Sequence, residues 1–140
     1  MKDFKVFIDT APIIYFLDAN SMLHNKAKSI FSYIVDNNYK ILTSAVTCAE
    51  YLVVPYRENN QQNIRAFWQF INDCNIDICI IDESVAEKSA VIRAKYSSFK
   101  LFDSMQLAVA YMNDCDLFLT NDKQLRQFQE INCVTFDTWE

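Results

Sequence analysis

Glycine is absent from this chain of 140 residues, proline occurs only at positions 12 and 55, and there is a single histidine, His24. Each shortage removes a class of protein. Without glycine there is no P-loop and no GxGxxG dinucleotide fingerprint, because both need a backbone free of Cβ where it meets phosphate. Positions with positive φ must be filled by the next most tolerant residues, Asn and Asp, and the pairs Asn37-Asn38 and Asn59-Asn60 suit that part. With one histidine and no CxxC spacing among Cys48, Cys74, Cys79, Cys115 and Cys133, no zinc site is expected. The apolar neighbours of these cysteines predict buried, reduced thiols. No run of about 18 uncharged apolar residues occurs, so no membrane span is expected. Asp3 and Lys5 interrupt the N-terminus before any secretory h-region could form, and the expected location is the cytosol. A net charge of −5 argues against a protein that coats nucleic acid. It leaves room for an enzyme that meets phosphate through bound cations and a local basic rim.

What is present is a full core, at 51% hydrophobic residues in a chain of single-domain length. No repeat, linker or low-complexity tract divides it, so residues 1–140 are read as one domain. KVFI (5–8) reads as a buried strand and PIIYFL (12–17) as a short helix with Pro12 in its first turn. A helix is predicted over about 23–37, with Ala27, Ile30, Phe31, Ile34 and Val35 on one face. Then follow a strand at 39–44, helices at 45–57 and 62–73, and a strand at 77–82. A helix at 84–97 carries Val85, Ala86, Ser89, Ile92 and Arg93 at helical spacing. The last stretch reads as a helix from Asp103 to Asn113, a strand at 116–120, a short helix at 122–128 and a strand at 133–136. Apolar strands without polar alternation, separated by helices, imply a mostly parallel sheet covered on both faces. Ligands of such folds bind beyond the carboxyl ends of the strands, near the switch in strand order.

Four acids fall at strand exits or helix starts in apolar surroundings: Asp9 after the first strand, Glu50 after SAVTCA, Asp103 after LF, and Asp122 after DLFLTN. Each has an ordinary explanation. Asp9, Asp103 and Asp122 could be helix caps, and Thr47-Cys-Ala-Glu50 matches a capping box. Gathered at one end of a sheet, however, four carboxylates repel strongly unless protonated or neutralised by cations. Hard oxygen donors without His or thiolate favour Mg²⁺ or Mn²⁺. Two such ions about 3.5–4 Å apart can clamp the attacking and leaving oxygens of a phosphodiester displacement.

FIDTAPIIYFLD, ILTSAVTCAEYL, LFDSMQLAVA and LFLTNDKQL resemble, in order and spacing, the motifs of the PIN domain family, which includes VapC-type ribonuclease toxins of toxin–antitoxin pairs. The resemblance runs from about 5 to 136. It implies a three-layer α/β/α sandwich around a central parallel five-stranded sheet, and a Mg²⁺- or Mn²⁺-dependent endoribonuclease acting on single-stranded RNA. It places the family's acidic quartet on Asp9, Glu50, Asp103 and Asp122, its hydroxyl after the last active-site strand on Thr120, and a polar neighbour on Asn121. Thr10 matches the frequent Asp-Thr start, where the hydroxyl can support a water in the site. The chain departs from the family at KYSSFKLFD, which lacks glycine, at Leu107-Ala108, and at Thr-Asn-Asp-Lys-Gln-Leu, where either Asn121 or Asp122 could be the fourth ligand. A homodimer and a small antitoxin protein that blocks the acidic site are implied partners.

Lys95, Lys100, Lys123 and Arg126 flank the third and fourth motifs and are candidate phosphate contacts. Tyr15, Phe16, Tyr51 and Tyr56 could stack unpaired bases, although aromatics at helical spacing are more often core. His24 lies outside every motif and is read as a surface or loop residue without a catalytic part. An aspartyl-phosphate hydrolase would want a second Asp where Ala11 stands. A receiver domain would want an acidic pair near the first strand's end and a lysine after the last strand, and neither arrangement is clear. The remaining alternative is a catalytically inactive PIN-like module that binds RNA or protein.

Overall fold

The structure, a computed structural model, describes residues 3–139. Its elements in chain order are β1 (Lys5–Ile8), α1 (Thr10–Leu17), α2 (His24–Asp36), β2 (Lys40–Ser44), α3 (Ala45–Arg57), α4 (Gln61–Asp73), β3 (Asp77–Cys79), α5 (Glu83–Lys95), α6 (Leu101–Met112), β4 (Leu117–Leu119), a 3₁₀ turn (Lys123–Gln127) and β5 (Asn132–Val134). All strand pairs are parallel, in the order β3-β2-β1-β4-β5.

Side chains of the central strands alternate between two cores, as a pleat of period two requires. Val6 and Ile8 of β1, Ile41 of β2 and Leu119 of β4 face the core packed by α1, α2 and α4. Phe7, Leu42 and Phe118 face the opposite core, packed by α5, α6 and the 3₁₀ turn. Phe7 and Phe118 are register partners and stack at 5.1 Å between ring centroids. The result is the expected three-layer α/β/α sandwich.

The chain order of the strands explains where a ligand can bind. From β1 the chain builds outward through β2 and β3, then returns to place β4 and β5 on the other side of β1. The connections after β1 and β4 therefore leave in opposite directions, and a crevice opens where they part, at the carboxyl ends of these two strands. Asp9 follows β1 directly, and its amide still donates to the Leu119 carbonyl at 2.9 Å.

The missing glycines are replaced as the sequence requires. Asn38, Asn59, Asn75 and Asp114 adopt φ of 57°, 54°, 52° and 57°. Each stands one residue beyond a helix C-cap, and each helix ends in the paired hydrogen bonds of a Schellman motif. After α4, for example, Ile76 N–H donates to the Ile71 carbonyl at 3.0 Å and Asn75 N–H to Asn72 at 3.1 Å. Asn tolerates this left-handed backbone because its short polar side chain can bond locally, whereas other side chains suffer a steric cost. Asn75→Ala is therefore expected to lower stability by about 1 kcal/mol in urea unfolding, with Asn75→Gly no worse than wild type. An Ala variant as stable as wild type would contradict this account.

Several boundaries and faces differ from the sequence reading. The strand expected at 77–82 stops at Cys79, and Ile80 turns to solvent with 75% of its surface exposed. The last strand runs over Asn132–Val134, leaving Phe136 to fill the α1 side core. Val35 is exposed, and so are Ala86 and Arg93, so the buried stripes of α2 and α5 are narrower than the periodicity suggests. Of the cysteines only Cys115 is fully buried, and the other four are partly so; all five are free thiols. Burial pushes Cys115 and Cys133 up to about 12, which keeps them protonated and unreactive.

Candidate active site

The floor of the crevice is Asp9, which is 8% exposed and caps α1. Its Oδ1 accepts from the Thr10 amide at 2.8 Å and from Gln106 Nε2 at 3.3 Å, and its Oδ2 accepts from the Thr120 hydroxyl at 2.9 Å. Burial raises its pKa, and these donors work against the rise; the nearby Glu50 charge adds to it.

Asp103 forms a half-buried wall. The helix α6 starts at Leu101, two residues earlier than expected, so Asp103 lies in the first turn and Lys100 is the N-cap residue. The cap explanation for Asp103 is thereby removed, although a carboxylate in the first turn still complements the helix dipole. Burial, followed by the charges of Asp9, Asp122 and Glu50, pushes Asp103 up to about 6, with Lys100 opposing.

Glu50 and Asp122 stand at the exposed rim. The capping-box reading of Glu50 also fails: Ser44 is the cap of α3, accepting from the Val46 amide, and Glu50 lies further along the helix. Glu50 Oε1 instead accepts from the Thr10 hydroxyl at 2.6 Å, across from one helix to another. Asp122 does cap the 3₁₀ turn through the Gln124 amide, and its own amide donates to Thr120 Oγ1 at 3.1 Å. One hydroxyl thus links Asp122 to Asp9.

Asp9, Glu50, Asp103 and Asp122, with Thr10 and Thr120, line one pocket of about 380 Å³, closed further by Ala11 and Ile14. Among the described residues, neither His nor Cys lines it. Its donors are hard oxygens, and three carboxylates raise the pKa of the fourth, which suits a divalent cation such as Mg²⁺ or Mn²⁺. Among the described residues, no three acids stand close enough to share one ion as placed.

The other candidates divide. Asn121 turns away and donates to the Tyr15 hydroxyl at 3.2 Å. Lys123 pairs with Asp137 at 3.4 Å, and the Lys95 ammonium sits 5.5 Å from the Tyr96 ring. Lys100 and Arg126 are exposed, and Lys100 acts electrostatically on Asp103. Phe16 packs on Phe31 and Phe70, Tyr51 stacks on Phe67, and Tyr15 meets Phe136 edge-on, so these rings serve the core. Tyr56 remains 62% exposed. His24 Nδ1 lies 3.1 Å from the Tyr15 carbonyl, outside the pocket.

Sequence reasoning missed Gln106, Ser44 and Thr43, all buried polar residues behind the pocket. The available signal was Gln106 itself, an amide three residues after Asp103 within the apolar stretch of DSMQLAVA.

The PIN domain family model matches residues 6–131. Comparison with curated protein sequences gives no match. Among solved structures, the chain is similar to VapBC2 of Rickettsia felis bound to a promoter DNA fragment, with a TM-score of 0.78 and 12% identity over 94% of this chain and 98% of that one. A toxin–antitoxin complex of Klebsiella pneumoniae gives 0.70 and 21% over 94% and 97%. VapC20 of Mycobacterium tuberculosis, a sarcin–ricin loop cleaving toxin, gives 0.68 and 15% over 91% and 98%.

Proposed function

Because this chain belongs to the PIN domain family, we propose that it is a Mg²⁺- or Mn²⁺-dependent endoribonuclease that hydrolyses phosphodiester bonds of single-stranded RNA, acting as the toxin of a toxin–antitoxin pair. The observation that carries the reading is the convergence of four carboxylates on one pocket at the switch in strand order. Such mutual repulsion is a cost to the fold with no return unless a cation enters.

Asp9 and Asp103 would hold the principal ion, with Glu50 and Asp122 completing the site. A bound divalent ion supplies Lewis acidity: it makes water a nucleophile near neutral pH and offsets charge building on the phosphate. The chain's residues do the rest. Asp9 is immobilised by three donors and cannot swing with the substrate. Glu50, held by Thr10, is an exposed carboxylate able to orient or deprotonate a water entering from solvent. Thr120 keeps Asp9 and Asp122 in fixed relation. Lys100 and Arg126 are exposed cations available to phosphates on either side. In-line attack would leave a 5′-phosphate on the product.

An apolar groove of about 420 Å³, lined by Val46, Val53, Ile81 and Phe102, opens beside Glu50. It supports the expectation of an antitoxin segment seated next to the acids, and exposed Val54 and Tyr56 on α3 support a homodimer. The competing reading, a module that binds RNA or protein without cutting, is favoured by one observation: among the described residues no three acids stand close enough to share an ion as placed. The discriminating assay is cleavage of single-stranded RNA with Mg²⁺ or Mn²⁺, with and without chelator. Cutting that chelator stops supports the nuclease; RNA binding without cutting under either metal supports the module.

A further inference from the structure

Gln106 lies on α6 and is 1% exposed, an amide buried where an apolar side chain would pack at less cost. Its hydrogen bonds have a forced direction. The Ser44 hydroxyl accepts from the Val46 amide and donates its own proton to Gln106 Oε1, in a close contact. That pins the carbonyl end and turns both amide protons the other way, one to Thr47 Oγ1 at 2.8 Å and one to Asp9 Oδ1 at 3.3 Å. Thr47 cannot reverse the arrangement. The Thr43 hydroxyl donates toward both the Ile8 carbonyl and Thr47 Oγ1, each at 2.8 Å, so Thr47 Oγ1 is an acceptor on that side as it is toward Gln106. The Thr10 proton is likewise committed, to Glu50. Flipping the amide would set Oε1 against the Asp9 carboxylate and leave two acceptors facing each other in a buried site.

The outcome at Asp9 can be counted. A carboxylate offers about four lone-pair positions. Two on Oδ1 are taken by the Thr10 amide and Gln106, and one on Oδ2 by Thr120. The remaining position is on Oδ2, and Asp9 lines one pocket with Glu50, Asp103 and Asp122.

We infer that Gln106 is a positioning residue for cation binding: through an amide oriented by Ser44, it occupies Oδ1 of Asp9, keeps that carboxylate an acceptor, and leaves Oδ2 as the ligating atom. The inference rests on the metal-dependent reading of the site. A structural filler would contribute only to stability. A positioning residue contributes to metal affinity at a given stability.

The test is Mn²⁺ binding, read as loss of the free-ion signal in electron paramagnetic resonance, for wild type and Gln106→Met, which has similar volume and no donor. Both are measured well below their melting temperatures. The expected result is weaker Mn²⁺ binding by about 10–100-fold in the variant, with kcat for RNA lowered and KM little changed. A variant that melts lower but binds Mn²⁺ like wild type overturns the inference and leaves the nuclease reading intact. A wild-type chain that binds no Mn²⁺ overturns the nuclease reading itself, and the inference with it. Should Gln106→Met not fold, the wild-type side chain answers the question. In a Mg²⁺ titration by ¹⁵N NMR, the Gln106 side-chain amide resonances should shift with the same midpoint as residues lining the pocket. Resonances that stay fixed while the pocket residues move would overturn the inference.

Discussion

Asp103→Asn should lower metal-dependent RNA cleavage by at least about 10²-fold while leaving the fold intact. The side chain is half-buried in the pocket wall and makes no cap hydrogen bond, so replacing one oxygen by an amide nitrogen removes no structural contact. What it removes is one negative charge from a set of four and one hard oxygen donor from the crevice. If that charge recruits the cation, the loss should appear as a demand for more Mn²⁺ and a lower kcat, with RNA binding by the rim little affected. Full cleavage by Asp103→Asn would reject Asp103 as a ligand. Cleavage by wild type that persists in excess chelator would reject metal dependence as a whole.

The same substitution should make the metal-free protein more stable. The carboxyl of Asp103 is pushed up to about 6 in the folded chain, chiefly by burial and then by its acidic neighbours, from an ordinary value of 3.8. A carboxylate whose pKa rises on folding binds more protons folded than unfolded, so stability falls as pH rises through that interval. Well below 3.8, near pH 3, Asp103 is largely neutral in both states and contributes little penalty. The penalty grows between 3.8 and about 6 and is complete above it. Discounted for a half-exposed side chain, it is about 1–2 kcal/mol, or roughly 3–8 °C in Tm for a chain of this size. In chelator at pH 7.5, Asp103→Asn should therefore melt above wild type, and near pH 3 the two should coincide. Saturating Mn²⁺ should reverse the order, because wild type gains about 2.7 kcal/mol at a hundred times its Kd and the variant gains less. Equal melting of the two proteins at every pH in chelator would mean that the acids do not strain the fold.

These two expectations pull in opposite directions, as they would at a crevice where stability is given up for binding. The remainder of the chain shows the reverse habit. Every helix C-terminus that needs a left-handed residue finds Asn or Asp, and the buried polar side chains among the described residues are hydrogen-bonded. In a fold that satisfies its polar groups this consistently, four carboxylates on one pocket are the exception.

Much of this was legible in one dimension. Strands and helices followed from apolar runs and spacing because burial of a strand or a helix stripe is a local pattern. The replacement of glycine at Asn38 and Asn59 followed from steric rules that act within a residue or two. The positions of the four acids at element ends were equally visible. Hidden were the facts that depend on distant segments meeting. Composition cannot tell that Thr10 turns to Glu50, that Asp103 sits inside a helix turn instead of capping it, or that Ser44 fixes the direction of an amide sixty-two positions away. Those are decided by how β1, β2, α3 and α6 pack, since a hydrogen bond is specified by angstroms and angles that sequence spacing fixes only inside a single element. The sequence by itself determined which residue types would be available and on which element each would ride. Only the tertiary structure, through the parallel order of the sheet and the crevice it opens between β1 and β4, decided which of them face one another.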